Sequence, residues 1–290
     1  MHHHSVFDVF THASHESLML LPYLFVTYLI LEYLEKRTQN ISLLFAKTHS
    51  VFTPILAALT GILPQCGLSV AGANFYATRV ISTGALVSLF LATSDEMLPV
   101  LISNQVPVQT IGTIIFYKTI IAVIAGLLLD RILKKKNHGA KPSFKMNSLC
   151  QEVECGCCHS SPWLSAIKHT LNIFLFIYII TIALNFIFLY VHLSELENDI
   201  FQHRFLGPVV ASLFGLIPNC ATSVITAQLY ANGTIPNGTF LSAVLANAGI
   251  GLVVLFHVNR RLKQNLKIIL FLFITALVSG LIFNIANIKF

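Results

Sequence analysis

Two short segments of this chain carry the same unusual run of a proline, a carboxamide and a cysteine: Pro64-Gln65-Cys66 and Pro218-Asn219-Cys220. Proline removes a backbone donor and blocks a helical path before it. The amide offers a donor and an acceptor together, and an ionised thiol is a soft-metal ligand. A second kind of chemistry lies at Thr93-Ser94-Asp95-Glu96, where two adjacent carboxylates interrupt an otherwise apolar stretch, with Lys118 on the following apolar stretch. A third cluster is Cys150, Cys155, Cys157, Cys158 and His159, with Glu152 and Glu154 between them. Thiolates beside an imidazole suit thiophilic ions such as zinc, copper(I) or trivalent arsenic. Cys157 and Cys158 are adjacent, unlike the separated pair of a structural zinc site, so a flexible chelating arm fits better than a rigid tetrahedral fold; a lipidated or incidental Cys-rich loop is the bland alternative. His12, His15 and Glu16 share one helical face, and His15 stands 154 residues before His169. These two histidines read either as ligands at a gate or as solvated helix-end residues.

The environment for this chemistry follows from composition. Of 290 residues, 55% are hydrophobic and 10% charged, and mean hydropathy is +0.76; soluble domains carry roughly 25% charged residues. In water such a surface would leave large apolar patches exposed, so the solvent is a lipid bilayer. The first apolar stretch, Leu18 to Leu34, reads as a spanning helix and not a cleaved leader. The net charge of +6 is no nucleic-acid footprint, because the basic residues collect in short loops.

The chain also repeats. At a shift of 154 residues, Ile55–Ile102 aligns without a gap with Val209–Phe256, and 18 of 48 positions are identical. Gly61-Ile-Leu-Pro-Gln-Cys66 pairs with Gly215-Leu-Ile-Pro-Asn-Cys220, and Ser69, Tyr76, Gly84 and Ser88 pair with Ser223, Tyr230, Gly238 and Ser242. The same shift sets Gly126 on Gly280 and Asp95 and Glu96 on Gly249 and Ile250, with Asn247 opposite Thr93. The expected organisation is therefore a first membrane repeat over 1–136, a Cys-rich linker over 137–162 and a second repeat over 163–290.

Each repeat reads as five helical segments, making the fold class all-α and polytopic. In the first these are Ser17–Glu35, His49–Leu63, Cys66–Thr78, Ser82–Ser103 and Val108–Leu133; in the second, Pro162–His192, Gly207–Ile217, Cys220–Ala231, Pro236–Asn259 and Leu262–Ile288. The second and third of each set are too short to cross a hydrocarbon core of about 30 Å and form a broken hairpin. Lys and Arg in short loops set the orientation. With the Lys36/Arg37/Lys47 loop in the cytoplasm, 15 of 18 basic residues lie inside, both termini lie outside and the linker is cytoplasmic. Each half then crosses an odd number of times, so the halves are inverted. A bilayer tolerates a helix break only where protein, water or a bound ion satisfies the released backbone groups, and inverted repeats with broken helices are a transporter arrangement with the substrate site between them. On this reading Gln65, Cys66, Asn219, Cys220 and Asn247 line the site, joined by Asp95 and Glu96. An intramembrane carboxylate costs about 3 kcal/mol or more. Two readings fit the pair: an ion pair with Lys118, or a cation or coupled-proton site.

Four ordered motifs then carry a resemblance: Gly-Ile-Leu-Pro-Gln-Cys-Gly at 61–67, Ala-Thr-Ser-Asp-Glu-Met-Leu-Pro at 92–99, Lys-His-Thr-Leu-Asn-Ile-Phe-Leu-Phe at 168–176 and Gly-Leu-Ile-Pro-Asn-Cys-Ala at 215–221. The chain resembles, over nearly its whole length, the ten-helix heavy-metal exporters, a family variously labelled arsenic efflux protein or manganese transporter. The resemblance implies about ten helical segments and efflux of a metal or metalloid. Ligand chemistry ranks trivalent arsenic or a methylated arsenical first and zinc-like cations second. Manganese, held by Asp95, Glu96 and the amides of Gln65 and Asn219, comes third; a small organic anion facing half-helix N-termini is a further alternative. The expected protein is thus a secondary transporter in the cytoplasmic membrane, not an enzyme. It calls for no cofactor and no nucleic acid; its partners are the ion, the bilayer and, as a candidate, a second copy.

Overall fold

The computed structural model describes residues 52–63, 66–78, 80–94, 97–136, 201–288 and 290, and thirteen helical positions between 21 and 29 and between 167 and 182. The chain divides into two compact units, 1–48 with 142–194 and 49–141 with 195–290, so each unit draws on both repeats. In the first unit Ile167, Leu171, Leu175 and Ile179 form an exposed apolar stripe at every fourth residue, the spacing of one helix face. The Phe174 and Tyr178 rings stack one turn apart, 6.1 Å between centroids.

In the second unit the described residues form ten helices and no strand: α1 (Phe52–Gly61), α2 (Cys66–Ala77), α3 (Thr83–Ala92), α4 (Met97–Ser103), α5 (Val108–Lys136), α6 (Leu206–Gly215), α7 (Cys220–Ala231), α8 (Asn237–Ala246), α9 (Gly251–Val258) and α10 (Leu262–Ile285). Each of α6 to α10 begins 154 residues after its counterpart among α1 to α5: 52 and 206, 66 and 220, 83 and 237, 97 and 251, 108 and 262. Four stretches are long and apolar enough to cross a membrane: α5 and α10 as continuous helices, α3 with α4, and α8 with α9. The protein is therefore an all-helical, multi-pass membrane protein.

One expectation is corrected. Ser82–Ser103 and Pro236–Asn259 read as unbroken spans, yet each is two helices with an interruption, after Ala92 and after Ala246. The causes are local. Pro99 lacks an N–H and excludes a helical path four residues before it. Asn247 turns its Oδ1 to accept the Gly249 N–H at 2.8 Å, and Gly249 takes φ +56°, where a side chain would be strained.

α3 and α8 lie at the centre, buried on every side from Gly84 to Ala92 and from Gly238 to Ala246. Each packs between two helices of its own repeat, α3 between α1 and α5, α8 between α6 and α10. Small residues permit the close crossings, as membrane helix interfaces require. A Cβ on Gly84 would strike the Gly126 carbonyl, and one on Gly238 the Gly280 carbonyl. The Ser88 hydroxyl occupies the notch at Gly126 and donates to the Ala122 carbonyl at 3.0 Å; Ser242 does the same at Gly280, donating to Ala276 at 3.2 Å. On their outer faces α5 and α10 expose apolar stripes at every fourth residue, Phe116 to Ile132 and Leu262 to Ile282, which fit lipid contact.

Candidate functional site

Four chain interruptions adjoin one another in the second unit. Gly61, closing α1, lies so near Leu89 and Ala92 of α3 that a Cβ there would stand 2.9 Å from both the Leu89 carbonyl and the Ala92 Cβ. The break after α1 therefore sits beside the break after α3. Gly215 closes α6 against Ala243 and Ala246 in the same way. Across repeats, α2 packs on α9 and α7 packs on α4. Gly251, the first residue of α9, meets Ser69 in the first turn of α2, where an added Cβ would stand 2.7 Å from the Ser69 Cβ.

Three of the candidates read from the sequence take defined places here. Asn219 is the N-cap of α7: its extended backbone ends the preceding turn, its Oδ1 accepts the Ala221 N–H at 3.2 Å, and its carbonyl accepts the Thr222 hydroxyl at 2.6 Å. Asn247, in the break between α8 and α9, donates from its amide nitrogen to the Ser223 hydroxyl one turn along α7. These two carboxamides thus meet at one helix N-terminus, both more than 95% buried. Lys118 of α5 is 2% exposed and donates its ammonium to the Thr93 carbonyl at the end of α3. A carbonyl at the negative end of a helix dipole is a good partner for a buried cation, and this contact ties Lys118 to the break itself.

Cys66 and Cys220 are the first residues of α2 and α7; their thiols lie outside the described atoms. Gln65, Asp95, Glu96, the linker ligands Cys150, Cys155, Cys157, Cys158 and His159, and the gate candidates His15 and His169 also lie outside the described residues. Among the described residues no group of three or more His, Cys, Asp or Glu stands close enough to hold a metal ion.

The structure adds polar groups that motif reading passed over. Ser69 and Asn74 on α2, and Thr222, Ser223 and Thr226 on α7, are all buried. In a bilayer such groups need partners, and Asn74, Thr222 and Thr226 find them on main-chain carbonyls one turn before. The signal was available for Ser69 and Ser223, which match at the repeat shift, but small hydroxyl residues are too common in membrane helices to stand out alone. Asp130 was also passed over: on α5 it accepts the Ser82 hydroxyl at 2.6 Å and the Gly84 N–H at 2.8 Å, closing the N-terminus of α3.

Backbone N–H groups at the starts of α2, α7 and α9, buried hydroxyls and carboxamides, and one ammonium can replace the hydration shell of a small polar species. Neither a curated protein nor a solved structure matches the chain. The model of the family described as "Putative, 10TM heavy-metal exporter" matches residues 6–188, more than half of the chain. The chain belongs to this 10TM heavy-metal exporter family.

Proposed function

We propose that the protein is a secondary transporter that exports a thiophilic metal or metalloid ion across the cytoplasmic membrane, from a site where the broken helices of two inverted repeats meet. The observation that carries this reading is the exchange of partners between repeats, α2 on α9 and α7 on α4. Each hairpin helix contacts the half-helix that follows the break of the opposite repeat, so a movement of one repeat alters the site on both sides. Charge supports the inversion. α5 carries its cations, Arg131 and Lys134 to Lys136, at its C-terminal end, whereas its counterpart α10 has Arg260, Arg261, Lys263 and Lys267 around its N-terminal end. Two helices equivalent in the repeat but antiparallel in the bilayer would put both clusters on the cytoplasmic side, with both termini outside and the Cys-rich linker inside.

Cys66 and Cys220 favour a soft ion. A cysteine at the first position of a helix is disposed to ionise, because the dipole there favours negative charge. Two such thiolates, with Asn219 and Asn247 at the N-terminus of one of the two helices, suit trivalent arsenic or a methylated arsenical first and zinc second. Asp95 and Glu96 would serve manganese, third in order, or carry a coupled proton; the linker cysteines and His159 would load the ion from the cytoplasm.

The test is flux of arsenite, methylarsenite, zinc and manganese in proteoliposomes of the wild type, Cys66→Ala/Cys220→Ala and Asp95→Asn/Glu96→Gln. Loss of arsenical flux in the cysteine variant is the expected result. Transport that survives the cysteine changes and disappears with the carboxylates would reverse the ranking toward manganese.

A further inference from the structure

At the end of α10 opposite Arg260 and Lys263, the second unit holds an open cleft of about 570 Å³, a size usual for a small-ligand site. Three chain segments build it. The turn before α6 brings Gln202 and Arg204, the start of α8 brings Asn237, and the end of α10 brings Asn284 and Asn287. Phe283 and Phe290 supply an apolar wall, their ring centroids 5.5 Å apart, with Tyr117 of α5 edge-on to Phe283 at 5.1 Å.

Two of the amides brace the walls. Asn284 donates to the Arg204 carbonyl at 3.2 Å, and Asn237 to the Ile288 carbonyl at 3.0 Å. The Arg204 guanidinium is anchored through Nη2, which donates to the Ile285 carbonyl at 2.8 Å. A guanidinium carries five N–H groups, and the lining residues include no aspartate or glutamate. The Asn237 N–H lies at the first position of α8, where it has no acceptor within the helix and the dipole favours negative charge. The repeat sharpens this contrast. Asn284 accepts the Gly238 N–H at 2.9 Å, and its counterpart Asp130 accepts the Gly84 N–H at 2.8 Å. A carboxylate can therefore make this bond, but the amide at 284 leaves the Arg204 charge uncancelled.

Beside the cleft the surface is apolar. Phe205 and Leu206, which follow Arg204, and Ile282 and Ile285 on α10 are each more than half exposed. A fixed cation thus stands where a polar cleft meets the lipid-facing stripe of α10, an outline that fits an amphiphile with an anionic head.

We propose that this cleft binds one anionic phospholipid. Its phosphate lies on the Arg204 guanidinium, a geometry suited to phosphate oxygens, and on the Asn237 N–H; its acyl chains follow Phe205, Leu206, Ile282 and Ile285. The bound head joins the segments that open α6 and α8 to the one that closes α10. In the proposed orientation this is the outer leaflet, but the binding depends neither on that orientation nor on the exported ion.

Native mass spectrometry of the full-length protein, delipidated in detergent micelles, tests this with dioleoyl phosphatidylglycerol, dioleoylglycerol and glycerol phosphate. One phosphatidylglycerol should be retained per chain and raise the melting midpoint, with no comparable retention of the other two. Arg204→Ala should weaken retention about tenfold or more, the scale of a charge-assisted hydrogen bond. That change also releases the Ile285 carbonyl, so Asn284→Asp decides if Arg204→Ala does not fold. It should keep the bond to Gly238, as Asp130 keeps that to Gly84, while its carboxylate weakens retention roughly two- to fivefold. Equal retention of dioleoylglycerol would mean that no phosphate is recognised, and equal retention of glycerol phosphate that the ligand is a soluble phosphate. Either result, or wild-type retention in Asn284→Asp or in folded Arg204→Ala, would overturn the proposal.

Discussion

In the first repeat α5 meets the two ends of α3 with Asp130 and Lys118; in the second, α10 meets the two ends of α8 with Asn284 and, at the position of Lys118, Leu272. Between these points the repeats share the close glycines, the serines in their notches and the helix starts. What the repeats have in common is what packing requires. They also differ in charge, which at membrane depth costs about 3 kcal/mol or more unless something retains it. The same division appears at the breaks. The second repeat secures its interruption with a neutral amide, Asn247 bridging to Ser223 and to the Gly249 N–H. The first has Thr93 there, with its carbonyl engaged by Lys118.

Exchanging Lys118 and Leu272 puts that division under the largest strain. Leu272→Lys places an ammonium at a fully buried leucine position and should cost about 3 kcal/mol or more in unfolding free energy. Lys118→Leu should be tolerated, since leucine fits the equivalent place, while metal or arsenite flux is lost. Unfolding in mixed detergent micelles measures the first and proteoliposome flux the second. Were Lys118→Leu to transport normally, the charge would belong to stability and the contrast between repeats would lose its functional meaning.

The shared part has its own test. Gly126→Val and Gly280→Val each drive a side chain into a serine hydroxyl and a glycine carbonyl on the facing helix. Overpacking of this kind costs roughly 1–3 kcal/mol or more. Because the surroundings repeat, the two variants should lose thermal stability by similar amounts, read as the midpoint of a detergent melt. A large difference would mean that α3–α5 and α8–α10 are not equivalent interfaces.

Much of this frame is legible in the sequence. The 154-residue shift, read from Gly61–Cys66 and Gly215–Cys220, pairs each helix start from Phe52 onward with one from Leu206 onward. The short hairpin helices follow from length and from Pro64 and Pro218. The breaks inside the long apolar stretches do not, because apolarity alone runs straight through them. Pro99 and the Asn247-Ala-Gly-Ile-Gly251 run were the available signals, and each is tolerated in membrane helices often enough to be overlooked. Asp130 was obscured for another reason. Next to Arg131 and the lysines that follow, it reads as part of a wet helix end, and only the fold brings the start of α3 to it. Lys118 stood out as a buried charge with Asp95 and Glu96, which lie outside the described residues, as candidate partners, and its contact with the Thr93 carbonyl was not foreseen. A main-chain carbonyl leaves no trace in composition.

The smallest effect discriminates most finely. Ser88 and Ser242 each donate to a carbonyl of the neighbouring helix, at Ala122 and Ala276. Residues in an α-helix already engage most such carbonyls in the backbone ladder, so replacing either serine with alanine strands no acceptor and removes one supplementary bond. Hydrogen bonds between membrane helices average about 0.6 kcal/mol, and Ser88→Ala and Ser242→Ala should each cost close to that in micelle unfolding. Equality is the informative outcome. The hydroxyl of Ser88 lies one turn from Gly84, whose N–H is held by Asp130, and that of Ser242 one turn from Gly238, held by Asn284. If the Asp130 contact tightens the whole α3–α5 crossing, Ser88→Ala will cost more than Ser242→Ala. If it acts only on the first turn of α3, the two serines will remain equal. The serine pair thus measures how far along α3 the Asp130 contact reaches.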